Sequence, residues 1–401
     1  MSVSWPTRTL GELYQIGSSK RVLQSDWKTH GVPFYRGREV TRLSVEGFVD
    51  NELFIAEDHF RQLEKSYGVP KTGDILITAI GTIGNTYIVR EADRFYFKDA
   101  SVLWMKRTGE VSSEFVSWWL KSSTFFDQLD HGNGATVDTL TINKLRSVVI
   151  TVPPLAEQQR IVRLLDEAFE GIATAKANAE KNLQNARALF ESQIEKVLSN
   201  GGIGWVSEQL GQVCEIERGG SPRPIQQFLT SDPAGVNWIK IGDATASGKY
   251  IYKTEEKIRE EGVKRSRMVY EGDFILSNSM SFGRPYIMKT TGCIHDGWLV
   301  LRKPSVNADF LYHALSSKVV FNQFDKLAAG STVRNLNIGL AKSVWIPIPP
   351  LAEQIMLAKK FDELQAETDV LSEVASRKVL KMNELGSAIL HEAFSGNRKA
   401  A

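Results

Sequence analysis

The seven residues Val152-Pro153-Pro154-Leu155-Ala156-Glu157-Gln158 return as Ile348-Pro349-Pro350-Leu351-Ala352-Glu353-Gln354, 196 positions later. A repeat of this length constrains architecture more than any local pattern, because each copy folds as the same unit. The frame extends upstream in order. Gly73-Asp74-Ile75-Leu76 matches Gly272-Asp273-Phe274-Ile275, and Gly84 and Tyr87 match Gly283 and Tyr286. Trp5, Leu10, Gly11 and Ile16 match Trp205, Leu210, Gly211 and Ile216, and Gly134-Ala135-Thr136-Val137 matches Gly330-Ser331-Thr332-Val333. The offset drifts between 195 and 204, which puts short insertions in loops, where they are tolerated. The chain is a tandem duplication.

Each half has two sections. The first mixes short β-rich runs with turn signals. Strands are expected at 74–78, 86–89, 101–105 and 148–152, and in the copy at 274–277 and 299–301. One helix is expected among them. It carries Phe115, Trp119, Ser122, Phe126 and Leu129 on a stripe read as core, echoed by Phe310, Ala314, Phe321 and Phe324.

The second section, Ala156–Leu198 and Ala352–Phe394, runs 43 residues without proline. The Pro-Pro pair ahead of it suits an extended chain entering a helix. Apolar or small residues fall at Ile161, Leu165, Ala168, Ile172, Ala175, Ala179, Leu183, Ala186, Phe190, Ile194 and Val197, 36 residues over ten steps. Adding 196 gives Leu357, Phe361, Leu364, Thr368, Leu371, Ala375, Val379, Met382, Gly386, Leu390 and Ala393, with Thr368 and Gly386 the weak points. A lone helix of this length, about 65 Å, would leave its stripe in water, whereas two such helices cover each other.

The expected fold is therefore α+β, with two tandem mixed α/β domains separated by two long antiparallel α-helices in a coiled coil with internal pseudo-two-fold symmetry. The boundaries fall at 1–152, 153–200, 201–348 and 349–401. Ile161, Leu165, Ile172, Leu183, Ile194, Leu357, Phe361, Leu371, Val379 and Leu390 are the expected helix-pair interface. Such a caliper suits B-DNA, whose backbone has local two-fold symmetry, and a spacer of about 65 Å bounds the interval at roughly 19 base pairs.

Two sections each closed by a strand running into Pro-Pro-Leu-Ala-Glu-Gln and a long helix resemble the specificity subunit of type I restriction–modification enzymes. The resemblance covers essentially the whole chain. It implies target-recognition domains at 1–152 and 201–348, conserved spacer helices that dock two methylation subunits, restriction subunits joined through the complex, and a bipartite asymmetric target in double-stranded DNA. It also places catalysis, with its S-adenosylmethionine, ATP and Mg²⁺, on the other chains.

The search for chemistry in this chain agrees with a DNA-recognition subunit that is not an enzyme. Gly242 to Gly248-Lys249-Tyr250 has five intervening residues where a phosphate loop needs four, and Tyr where Ser or Thr must bind Mg²⁺. The Pro-Pro pairs follow Val152 and Ile348, whereas an amino-methyltransferase needs a polar side chain there. His30, His59, His131, His295, His313 and His391 lack ligand spacing, so no metal site is expected. Cys214 and Cys293 build no disulfide framework, and Met1–Pro6 lacks the layout of a signal peptide. Both fit a cytoplasmic location with no membrane anchor.

The net charge of +2 excludes an indiscriminate polycation, but residues 201–350 carry 18 basic and 14 acidic side chains. A DNA reader of so mild a charge must gather its cations on one face. The candidate DNA-binding residues are Lys20, Arg21, Arg36, Arg38, Thr78, Thr82, Asn85 and Thr136, with Arg218, Ser221, Arg223, Lys240, Asn278, Ser279, Ser281, Arg284, Thr332 and Arg334 in the copy. Arginine pairs with the guanine edge and asparagine with adenine, while lysine and hydroxyls hold phosphates. Two other classes stay open on the residues alone: a self-sufficient DNA methyltransferase, and a coiled-coil connector without DNA contact.

Overall fold

The computed structural model describes residues 5–109, 111–129, 139–278, 282–328 and 336–395. It divides into two units, Met1–Ala179 with Ser376–Ala401, and Glu180–Ala375.

In the first unit an antiparallel sheet runs in the order Tyr14–Gly17, Val102–Arg107, Ile75–Thr78, Thr86–Ile88. Ile75–Thr78 is buried along its whole length, which is why it reads as a continuous apolar run instead of an alternation. Gly73 takes a φ of 83°, open to glycine at little cost, and hands the chain to Asp74. That buried carboxylate accepts from the Lys71 and Arg107 amides (2.9 and 2.8 Å) and from Trp104 Nε1 (2.8 Å), so its burial leaves no bond unmade. A second sheet is built from Trp27–Lys28, Phe54–Ile55, Val32–Tyr35 and Tyr96–Phe97, the last pair parallel. Thr7–Thr9 pairs antiparallel with Val149–Thr151 and clasps the start of the chain to the strand before the first Pro-Pro.

The second unit repeats this plan. Glu215–Arg218, Trp298–Arg302, Phe274–Ser277 and Pro285–Met288 form the main sheet, extended by Tyr250–Ile251. Leu229–Thr230, Glu256–Ile258, Val236–Ile239 and Gly292–Ile294 form the other, extended by Arg267–Val269. Val206–Gln209 clasps Trp345–Ile348. The Gly-Asp turn recurs too, with Gly272 at φ 92° and Asp273 accepting from the Tyr270 amide at 2.9 Å.

The recurring glutamine of the Pro-Pro motif has a structural reason. Gln158 donates from Nε2 to the Pro153 carbonyl (2.8 Å) and accepts from the Ser112 amide (2.9 Å), and Gln354 does the same with Pro349 and Asn307 (2.8 Å each). Each glutamine is buried and ties the start of a long helix to the N-cap of a shorter one.

The two long helices span Leu155–Asn200 and Leu351–Phe394. In the first unit Ile161 and Leu165 share a core with Leu390, Ala393 and Phe394. There Phe169 lies where a Cβ on Gly386 would come within 3.3 Å, so the gap in the stripe admits a ring. In the second unit Ile194 and Leu198 share a core with Leu357, Ala358 and Phe361. The start of one helix lies against the end of the other in each case, so the pair runs antiparallel. Ile172 is also buried, while Leu183 and Val379 are half-buried.

Leu371 is 52% exposed but lines a groove with Ala186, Leu189 and Phe190 of the first long helix, and next to it Ser372 accepts from Arg187 at 3.2 Å. One expectation is corrected. The single helix expected over 115–129 is two, Ser113–Trp119 and Ser123–Phe126, and its copy is Ala308–Ser316 and Lys318–Ala328. The break is chemical. Ser122 and Ser317 turn their hydroxyls back onto the Trp119 and Ala314 carbonyls (2.7 and 2.6 Å), a local bond that competes with the helix. After the break Phe126 and Phe321 are 40% and 36% exposed instead of core, each lying over the turn glycine, Gly84 or Gly283.

Candidate nucleic-acid interface

In both units the loop after the first strand of the main sheet is moored to the segment that enters the strand paired with that first strand. In the first unit Ser19 Oγ donates to the Phe97 carbonyl (2.7 Å), the Lys20 amide to Tyr96 Oη (3.0 Å) and Arg21 Nε to Asp99 Oδ2 (3.1 Å). In the second, Gly219 and Gly220 donate their amides to the Trp298 and Ile294 carbonyls (2.9 and 3.1 Å). A Cβ on Gly219 would come within 2.0 Å of the His295 carbonyl oxygen, so only glycine permits this approach.

Asp296 is the hub of the second cluster. Its carboxylate accepts from Ser221 Oγ (2.6 Å) and from the Arg223 guanidinium (3.0 Å). Its carbonyl accepts from Arg218 Nε (3.1 Å) and Asn278 Nδ2 (3.0 Å). The Ser221 hydroxyl, then Arg223, hold the Asp296 carboxyl below the usual aspartate range against the opposing effect of burial. Beside it a cavity of about 640 Å³ is lined by Ser221, Arg223, Trp238, Lys240 and His295. Burial lowers the His295 pKa, and the Gly297 amide donates to Nδ1 at 2.9 Å, which leaves the ring proton on Nε2.

A helix starts close by in each unit. Arg36 caps Gly37–Glu46 and Lys240 caps Ile241–Ser247, and their amides donate to the third-position acids Glu39 (2.9 Å) and Asp243 (2.8 Å). The cations at these caps are already engaged. Arg36 gives Nε and a terminal nitrogen to Glu39 (3.0 and 2.7 Å), and Arg38 reaches Glu39 and Glu52 (3.1 and 2.6 Å). Lys240 reaches Glu256 and Glu255 (2.9 and 3.8 Å). Burial pushes the Glu39 carboxyl up, yet the bonds from Arg36 and Arg38 hold it down at about 2.

Thr78 and Asn278 are each 1% exposed and shape turns from within. Thr78 Oγ1 donates to the Thr82 carbonyl (2.5 Å) and accepts from the Asn85 amide (3.1 Å), while Asn85 Nδ2 donates to Thr41 (3.1 Å). Thr82 and Arg284 are exposed, while Asn85, which holds the place of Arg284 in the first turn, is half-buried. Thr136, Ser279, Ser281, Thr332 and Arg334 lie outside the described residues. Sequence reasoning missed Asp99 and Asp296. They sit 197 apart, inside the drift of the repeat, and their negative charge hid them from a search for DNA-binding residues.

The family model described as type I restriction modification DNA specificity domain matches residues 2–184 and again 202–381. An inferred type I restriction enzyme specificity subunit of Haemophilus influenzae is 29% identical over 190 residues, 45% of this chain and 46% of that one, about half of each. The EcoDI specificity subunit of Escherichia coli is 21% identical over 440 aligned positions, covering 100% of this chain and 90% of its own. A solved chain from a study of complex assembly and conformational transition in the type I restriction–modification system has a TM-score of 0.79 at 20% identity, covering 98% of this chain and 97% of that one, a likeness of fold. With the family model matched once in each half of a duplicated chain, the protein belongs to the type I restriction–modification DNA specificity family and is a specificity subunit, not a catalytic one.

Proposed function

We propose that the two units read the two unlike parts of a bipartite double-stranded DNA site, with the helix pair holding the unread interval and docking two methylation subunits. The observation that carries this is the recurrence, on one topology, of two loop clusters with different side chains: Lys20, Arg21 and Asp99 in one, Arg218, Ser221, Arg223 and Asp296 in the other. Equal scaffolds with unequal loops suit unequal half-sites. The docking of partner subunits is supported by large apolar side chains left in solvent on the second long helix, among them Ile355, Met356, Val370, Val374, Leu380 and Leu385. No helix among the described residues is long and apolar enough to cross a membrane. The chain acts in the cytoplasm in this proposal, where methylation subunits supply S-adenosylmethionine chemistry and restriction subunits supply ATP and Mg²⁺ chemistry.

Footprinting the complex with its methylation subunits on a methylated-site duplex tests the reading. Two protected segments flanking an unprotected interval are expected, with affinity that falls as salt rises. A single continuous footprint, or binding indifferent to salt, overturns it.

A further inference from the structure

Among the described cations of the two clusters, Arg21 and Arg223 combine two properties. Their side chains are 70% and 79% exposed, yet each is tethered through one nitrogen to an aspartate, Asp99 at 3.1 Å and Asp296 at 3.0 Å. Arg36 is only 26% exposed and gives two nitrogens to Glu39, and Arg38 and Lys240 are each shared between two acids.

Folding does not require the tethers, because an exposed ion pair contributes little to stability. Nor does phosphate binding, because an arginine neutralised by an aspartate adds little to backbone attraction, and the carboxylate repels phosphates. The tether does serve orientation. It removes part of the rotamer freedom that a long side chain loses when it is fixed against a ligand. It also leaves donors in a fork. With Nε of Arg21 engaged, both terminal nitrogens remain, and with one terminal nitrogen of Arg223 engaged, the other remains beside that nitrogen's second hydrogen. A planar fork of two N–H donors matches O6 and N7 of guanine, which lysine cannot imitate. The same arrangement occurs at the same place in two units, although the loop runs five residues from Ile16 to Arg21 and seven from Ile216 to Arg223.

We propose that Arg21 and Arg223 are specificity-determining residues, each aimed by its aspartate at the major-groove edge of a guanine, one in each part of the target. This inference rests on the DNA-reading function proposed above. Arg36, Arg38 and Lys240 then serve the caps of their helices and add only general positive potential.

The test offers a library of randomised duplexes to the complex with its methylation subunits and sequences the methylated products. The wild-type motif is the control, and a two-part motif supports the DNA-reading function whatever the variants do. Arg223→Lys should lower discrimination by ~10-fold or more at one guanine position in one part, with the other part and the interval unchanged. Arg21→Lys should do the same in the opposite part, and Asp296→Asn should relax the Arg223 position to a smaller degree. If a variant no longer methylates, the duplexes it retains on a filter give the same readout. Loss of binding spread evenly over all positions, an unchanged motif, or a wild-type motif with no guanine in one part overturns the inference.

Discussion

Glu39 and Asp243 occupy the same step of the repeat, three residues into a helix, and accept the amide of a basic cap residue. Only Glu39 also takes two guanidinium groups, Arg36 and Arg38, which hold its carboxyl at about 2 although burial works against them. The sign of the consequence is fixed by that depression. The carboxylate stabilises the folded state above its ordinary value of 4.5, and this contribution is lost as pH falls towards 2. Glu39→Gln should therefore lower the urea midpoint of the first unit at pH 6, and the gap between variant and wild type should shrink between pH 4.5 and pH 2.5. A gap that stays constant over that range contradicts the assigned pairing. The cap acids are visible in the sequence as an acid three residues after a basic one. The partnership of Arg21 with Asp99 is not, because 78 residues separate them and it is the antiparallel pairing of Tyr14–Gly17 with Val102–Arg107, with the bond from Ser19 to Phe97, that brings them together.

At the scale of elements, periodicity reads the long helices well and the small sheets poorly. A 3.6-residue stripe sustained over 43 positions leaves few alternatives, and Ile161, Leu165, Ile194, Leu357, Phe361 and Leu390 are all buried. Two-residue strands such as Trp27–Lys28 and Phe54–Ile55 carry no period at all. The break at Ser122 and Ser317 is hidden for another reason, since both serines fit the helical stripe and only their hydroxyl bonds show the turn. The stripe itself makes a sharp prediction. Phe361→Ala removes a ring that is 1% exposed in the second core and should cost about 3–5 kcal/mol in denaturant unfolding. Val374→Ala, at a side chain 56% exposed, should cost less than about 0.5 kcal/mol. Equal losses at the two positions would mean that the inward face has been misassigned.

The whole molecule follows from the duplication. Both copies keep what the fold needs, the Gly-Asp turn, the clasping strands and the glutamine that locks the Pro-Pro corner. They differ in the loops after the first strand of the main sheet, and the extra strands Tyr250–Ile251 and Arg267–Val269 belong to the second unit. Architecture and family were legible because a repeat preserves order over hundreds of residues. Which loop residues meet bases was not, because candidate polar residues such as Thr78 and Asn278 turn out to be buried inside turns. The central claim, two unlike readers in one chain, is tested most directly by mapping methylated bases with long-read sequencing in cells carrying the complete system. The account predicts an asymmetric motif of two short specified segments around an interval of constant length and unspecified sequence. A continuous motif, a symmetric one, or a motif that does not change when this chain is exchanged for another would contradict it.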